Sequence, residues 1–132
     1  MEIVGYTFHV GDLFHVGHAH QLRECRKYCD VLICGLLTDE SVESYKRKPI
    51  IPLLERMTIY SLLKCVDRVV SQDSRDPTEN LKHYKPDILF HGDDWGDIPG
   101  KEWIEANGGR LIKTPYYQGQ STTKIIEKIN DL

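Results

Sequence analysis

His15-Val16-Gly17-His18 places two imidazoles three residues apart around a glycine. Imidazole N–H groups donate to phosphate oxygens, and side chains three apart at a helix start lie on one side of it. Gly17 lets a ligand come close to the backbone. A helix beginning here adds unpaired N–H groups and a partial positive charge, which together form a ready phosphate site. The motif is short, and its plain alternative is a pair of surface histidines beside a tight turn. Its position, after an N-terminal strand and at a helix start, gives it weight. His9 and His20 enlarge the cluster, but no cysteine or carboxylate stands at zinc-ligand spacing to them, so no protein-held metal is expected. Other polar clusters are Lys46-Arg47-Lys48, Gly92-Asp93-Asp94-Trp95 and Ser121-Thr122-Thr123. Taken alone, these read as a charged loop, a turn and a helix cap.

Hydrophobic patterning supplies the elements that must position them. Short apolar runs at 3–10, 30–37, 66–70, 87–91 and 110–114 read as strands. Helical spacing is found at 17–29, 53–63, 78–84, 99–107 and 121–129, with prolines and glycines between. Ser121 is a good N-cap, and Ile125, Ile126 and Ile129 share one helix face. The continuous apolar run at 30–37 is that of a strand buried on both faces. The fold class predicted is therefore α/β: a single-domain, Rossmann-like three-layer sandwich over residues 1–132, built on a five-stranded parallel sheet. In such sheets ligands bind beyond the C-terminal ends of the strands. Four polar clusters fall on that one predicted edge, at 12–20, 38–48, 92–95 and 118–123.

The 132 residues carry 17 Lys+Arg against 20 Asp+Glu, a formal charge of −3, which argues against a nucleic-acid binder or a polybasic membrane binder. With 40 % hydrophobic and 28 % charged residues the chain is too apolar to be disordered. No apolar run approaches the ~20 residues of a membrane span. The opening residues read straight into a strand, so no secretory leader is expected. Cys25, Cys29, Cys34 and Cys65 show no Cys-x-x-Cys pair and read as reduced thiols, which favours the cytoplasm.

The run from Asp12 through Phe14 to His15-Val16-Gly17-His18 resembles the signature of the nucleotidyltransferase superfamily that shares His-x-Gly-His with class I aminoacyl-tRNA synthetases. Thr38-Asp39-Glu40, Glu55-Arg56, Val66-Asp67, Gly92-Asp93-Asp94-Trp95 and Ser121-Thr122-Thr123 resemble its cytidylyltransferase branch, most of all glycerol-3-phosphate cytidylyltransferase. The resemblance implies that CMP passes from CTP to a small phosphorylated or phosphonate acceptor, releasing pyrophosphate, with Mg²⁺ accompanying the nucleotide. It implies that His15, His18 and Lys46 stabilise the transferring phosphate. Val10, Gly11, Gly17, Arg56, Gly92, Asp94, Trp95, Ser121, Thr122 and Thr123 would bind the nucleotide. His9, Asp12 and Tyr116 would face the acceptor. It also implies a homodimer.

Two departures qualify the match. The family reads Gly-Thr-Phe-Asp where this chain has His9-Val10-Gly11-Asp12, so bulk moves from the third position to the first. Tyr116 stands where an arginine precedes the Ser-Thr-Thr segment, and one neutral hydrogen bond replaces a bidentate cation. The altered wall at His9-Val10-Gly11 keeps an ATP-dependent adenylyltransferase of the same superfamily, of the flavin, pantetheine or heptose type, as the first alternative. The missing arginine at 116 motivates the second, a non-catalytic nucleotide-binding module.

Overall fold

The computed structural model describes residues 1–93 and 96–132. Asp94 and Trp95, both expected at the nucleotide, lie outside the described residues. The described chain runs β1 (Val4–His9), α1 (Val16–Arg26), β2 (Val31–Leu37), α2 (Asp39–Glu43), α3 (Leu53–Ser61), β3 (Arg68–Gln72), α4 (Thr78–Tyr84), β4 (Ile88–Gly92), α5 (Lys101–Ala106), β5 (Arg110–Thr114) and α6 (Thr122–Asn130). The strands form one parallel sheet in the order β3-β2-β1-β4-β5. The order reverses between β1 and β4, which opens a crevice at the C-terminal ends of those two strands.

Strand alternation divides the core into two layers. Leu32, Cys34 and Leu36 of β2 and Ile88 and Phe90 of β4 pack with Leu22 and Cys25 of α1 and Tyr60 of α3. Tyr6 of β1, Ile33 of β2 and Leu89 of β4 pack on the other face with Leu81 of α4 and Ile104 of α5. The sheet is thus covered on both sides, as its unbroken apolar strands require.

The predicted elements form, with shifted ends. α1 stops at Arg26, because Lys27 is its C-cap and the chain turns toward Cys29. β3 begins two residues later than the apolar run, since Asp67 is engaged by both its backbone and its carboxylate with Leu32. α5 is confined between Gly100 and Gly108, both at positive φ. One short helix, α2, was read only as polar sequence. Thr38 caps it by accepting from the Ser41 N–H, and Asp39 and Glu40 sit in its first turn, where the helix dipole favours them. Within the described residues no helix is long and apolar enough to cross a membrane, and all four cysteines are free.

Candidate active site

A cavity of about 480 Å³ opens at the crevice, within the size range of small-molecule sites. The turn after β1 and the start of α1 supply one wall, through Val10, Asp12, His15, Gly17 and His18. Lys46 and Arg47, beyond α2, supply the second. Gly92 closes the end of β4, and Tyr116, Ser121, Thr122 and Thr123 form the third wall between β5 and α6.

The two motif histidines are held as one unit. His15 is the N-cap of α1, and its Nδ1 accepts the Gly17 N–H at 3.0 Å. His18 reaches back, and its Nδ1 accepts the His15 N–H at 3.1 Å. A nitrogen that accepts from a backbone amide carries no proton, so in each neutral ring the proton sits on Nε2. Both imidazoles therefore present Nε2–H donors to the cavity they line. Gly17 is required for this arrangement: a Cβ there would lie 2.8 Å from the His15 ring. Burial drives the His18 pKa down to about 2, and the neighbouring His9, His15 and Lys46 add to the effect. Burial also lowers that of His15. The site thus meets a ligand with neutral N–H donors.

Lys46 supplies mobile positive charge, and burial and the adjacent Arg47 pull its pKa down. Asp12 is buried, and its carboxylate accepts from the Ile50 N–H and the Ile51 N–H, both at 2.9 Å. Arg47 lies 3.5 Å from the same carboxylate. These bonds fasten the chain that carries Lys46 and Arg47 to the turn after β1. Thr122 Oγ1 donates to the Asp12 carbonyl at 3.0 Å and so joins α6 to that turn. Ser121 caps α6 by accepting from the Lys124 N–H, and the first amides of that helix have no intrahelical acceptor.

Several residues play parts other than those expected. Arg56 does not reach the cavity. It is fully buried, and it donates to the carbonyls of Ile51, Val10 and Leu37 and to Asp39 at 2.5 Å. It braces the Val10 side of the cavity from below. Gly11 is buried at φ +72 beneath Tyr60 and also lies off the cavity lining. Asp12 lines the cavity, but both of its oxygens serve the backbone, which leaves the acceptor contact to others. His9 lines the cavity too, yet its two nitrogens are engaged by Tyr60 and Gln21. Tyr116 is at the rim and 64 % exposed, available to a ligand. Sequence reasoning missed Gln21, Thr114 and Gln120 in the lining. Gln21 lies one helical step from His18, and Thr114 ends a strand on the correct edge, so periodicity and edge placement held the signal.

Known proteins resemble this chain in sequence and in fold. The Bifunctional protein HldE of Citrifermentans bemidjiense is 41 % identical over 122 residues, covering 89 % of this chain and 25 % of its own. That of Caulobacter vibrioides is 37 % identical over 131 residues, covering 96 % and 27 %. The chain spans about a quarter of the length of these curated relatives. The crystal structure of the lipopolysaccharide core biosynthesis protein from Thermoplasma volcanium superposes with a TM-score of 0.76 at 26 % identity, covering 91 % of this chain and all of that one. The model of the Cytidylyltransferase-like family matches residues 10–128, from the wall of the cavity into the closing helix, and the chain belongs to that family.

Proposed function

We propose that the protein transfers a nucleotidyl group from a nucleoside triphosphate to a small phosphorylated acceptor, and that ATP is the donor. The observation that carries the reaction type is the pair of backbone-locked imidazoles, with Nε2–H donors lining a cavity shared with Lys46 and the start of α6. Neutral donors fixed before the substrate arrives stabilise charge that grows on the α-phosphate and need no reorganisation. An acceptor phosphate oxygen attacks the α-phosphorus in line. The bond from the α-phosphorus to the oxygen bridging to the β-phosphate breaks, and pyrophosphate leaves with the electron pair. Positioning and charge stabilisation suffice for such a transfer, and no covalent enzyme intermediate is needed.

Likeness to the HldE relatives favours the adenylyltransferase reading over CTP and glycerol 3-phosphate. The wall altered at His9-Val10-Gly11 is compatible with that choice, and Tyr116 in place of the expected arginine bears on the acceptor instead. Among the described residues no group of His, Cys, Asp or Glu is placed to hold a metal, and Asp12 is occupied by amides. We take Mg²⁺ to accompany the triphosphate as part of that substrate, as the family resemblance implies. The free cysteines suit a cytoplasmic setting.

Pyrophosphate release is the test, measured with ATP and separately with CTP, in Mg²⁺. The acceptors are sugar phosphates (heptose phosphates among them), glycerol 3-phosphate, phosphocholine, phosphoethanolamine and small phosphonates. Release with ATP and a sugar phosphate is expected. Release with CTP alone overturns the choice of nucleotide. Nucleotide binding with no release from any acceptor overturns the catalytic reading in favour of a binding module.

A further inference from the structure

Four rings close a box beneath the cavity. Phe14 stacks on His18 with centroids 5.6 Å apart, His18 meets His9 at 5.6 Å, His9 meets Tyr60 edge-on at 5.6 Å, and Tyr60 returns edge-on to Phe14 at 5.3 Å. His18 is one corner of this box, and its Nε2–H is a donor the proposed reaction uses. His9 is a second corner of the box. Room for Tyr60 beside His9 comes from Gly11, where a Cβ would lie 2.8 Å from the Tyr60 ring and 3.0 Å from its hydroxyl. Tyr60 reaches His9 because residue 11 is glycine.

The protonation of His9 follows from hydrogen bonds that begin two strands away. Thr114 Oγ1 donates its one proton to the His91 carbonyl at 3.2 Å. It can therefore only accept from Gln21, so the Gln21 NH₂ faces it at 3.4 Å and also faces Thr7 Oγ1 at 3.1 Å. The Gln21 carbonyl oxygen must then face His9 Nε2, 2.7 Å away, and that nitrogen carries the proton. Nδ1 is left bare and accepts the Tyr60 O–H at 2.7 Å. We propose that His9 is a positioning residue for His18: an imidazole held neutral as the Nε2–H tautomer, with both nitrogens committed, that fixes the His18 ring from below. The titratable groups turned toward it are His15 and His18 of α1, Tyr60 of α3 and His91 of β4, and none is an anion at neutral pH. Burial takes the His9 pKa down to about 4, in keeping with this.

The role of His18 rests on the proposed nucleotidyl transfer, whereas the lock on His9 does not, so the two are tested separately. Nitrogen-15 NMR of the imidazoles in the full chain reads the tautomer directly. His9 should show a protonated Nε2 and a bare Nδ1, unchanged from about pH 8 to about pH 5.5. Tyr60→Phe removes the donor and keeps the ring box, and Thr114→Val removes the first link. Both should shift the His18 resonances and mix the His9 tautomers. Both should also lower kcat about tenfold with nucleotide KM unchanged. Thr114→Ser should restore both readouts. An Nδ1–H tautomer, or a His9 titration between about pH 6 and about pH 7, overturns the lock. A locked His9 with His18 resonances indifferent to Tyr60→Phe overturns the positioning role. If no acceptor yields turnover, the His18 resonances still decide it, and only the proposed function fails.

Discussion

At the N-terminal edge of the sheet, three aspartates close the strands. Asp30, Asp67 and Asp87 each stand one residue before a strand. Each gives its N–H to a carbonyl of the neighbouring strand and takes that residue's N–H on its carboxylate: Asp30 with Ile3, Asp67 with Leu32, Asp87 with Val4, at 2.7–2.9 Å. At the C-terminal edge the pairing is turned outward. His15 and His18 spend one nitrogen each on the backbone and keep the other for the cavity, which the first residues of α6 also line. Strand and helix ends leave orphan polar groups at both edges. One edge satisfies them internally and gains stability. The other leaves donors turned to the cavity, and buried supports, Arg56 and Asp12, hold the walls that carry them.

The largest effect separates support from chemistry. Arg56→Met strands three carbonyls and leaves Asp39 without its buried partner, and should cost about 3–5 kcal/mol. Urea denaturation reads it, and a loss under 1 kcal/mol would mean that the Val10 side of the cavity is not held by this side chain. His18→Ala removes the acceptor of the His15 N–H and should cost only about 1 kcal/mol in denaturation, while turnover falls about 10²–10³-fold, by analogy with removal of one preorganised donor. Nucleotide affinity should fall far less, since the charge it meets grows in the transition state. An equal loss in binding and rate would place His18 on the ground-state substrate only.

Acid reads the same open edge. His9 and His18 are both depressed, so between about pH 6.5 and about pH 4 the unfolded chain binds protons that the fold refuses. Their contribution is complete above the unfolded value and is lost as pH falls. Stability should drop by roughly 1 kcal/mol per pH unit for each such histidine. Urea midpoints at successive pH values measure the slope, which His9→Gln should flatten. The smallest effect belongs to the closed edge. Burial opposes the charge of Asp67, but the Leu32 N–H and Arg26 outweigh it and leave its pKa low. Asp67→Asn should cost only about 1 kcal/mol, because Arg26 and Asp67 are both more than a third exposed and water screens the pair. Pyrophosphate release by this variant should match the parent, and a large loss there would join two edges that the structure keeps apart.

The histidine motif, the parallel sheet and the edge that bears the site were all legible from spacing. Strand alternation and helix periodicity are local consequences of burial. What spacing could not give was direction. Arg56 sits beside Glu55 in a familiar pattern and looks like a ligand contact, but the fold turns it inward under Val10 and Leu37. α2 escaped because a five-residue helix is too short for its periodicity to stand out, although Thr38 offered a cap. Gln21 was marked only by its helical step from His18, and a lone glutamine on a helix is ordinary surface until Thr114 and His9 are brought to it.

The sequence by itself determined which side chains could touch a phosphate and that strand ends would gather them, because periodicity and caps act within a few residues. Only the tertiary structure decided which donors are spent and which remain. That depends on partners 14 to 110 residues away in sequence, such as Thr7 with Gln21, Ile51 with Asp12 and Thr122 with Asp12. A buried polar group is defined by the partner that folding brings to it, and that partner is not in its neighbourhood of the chain.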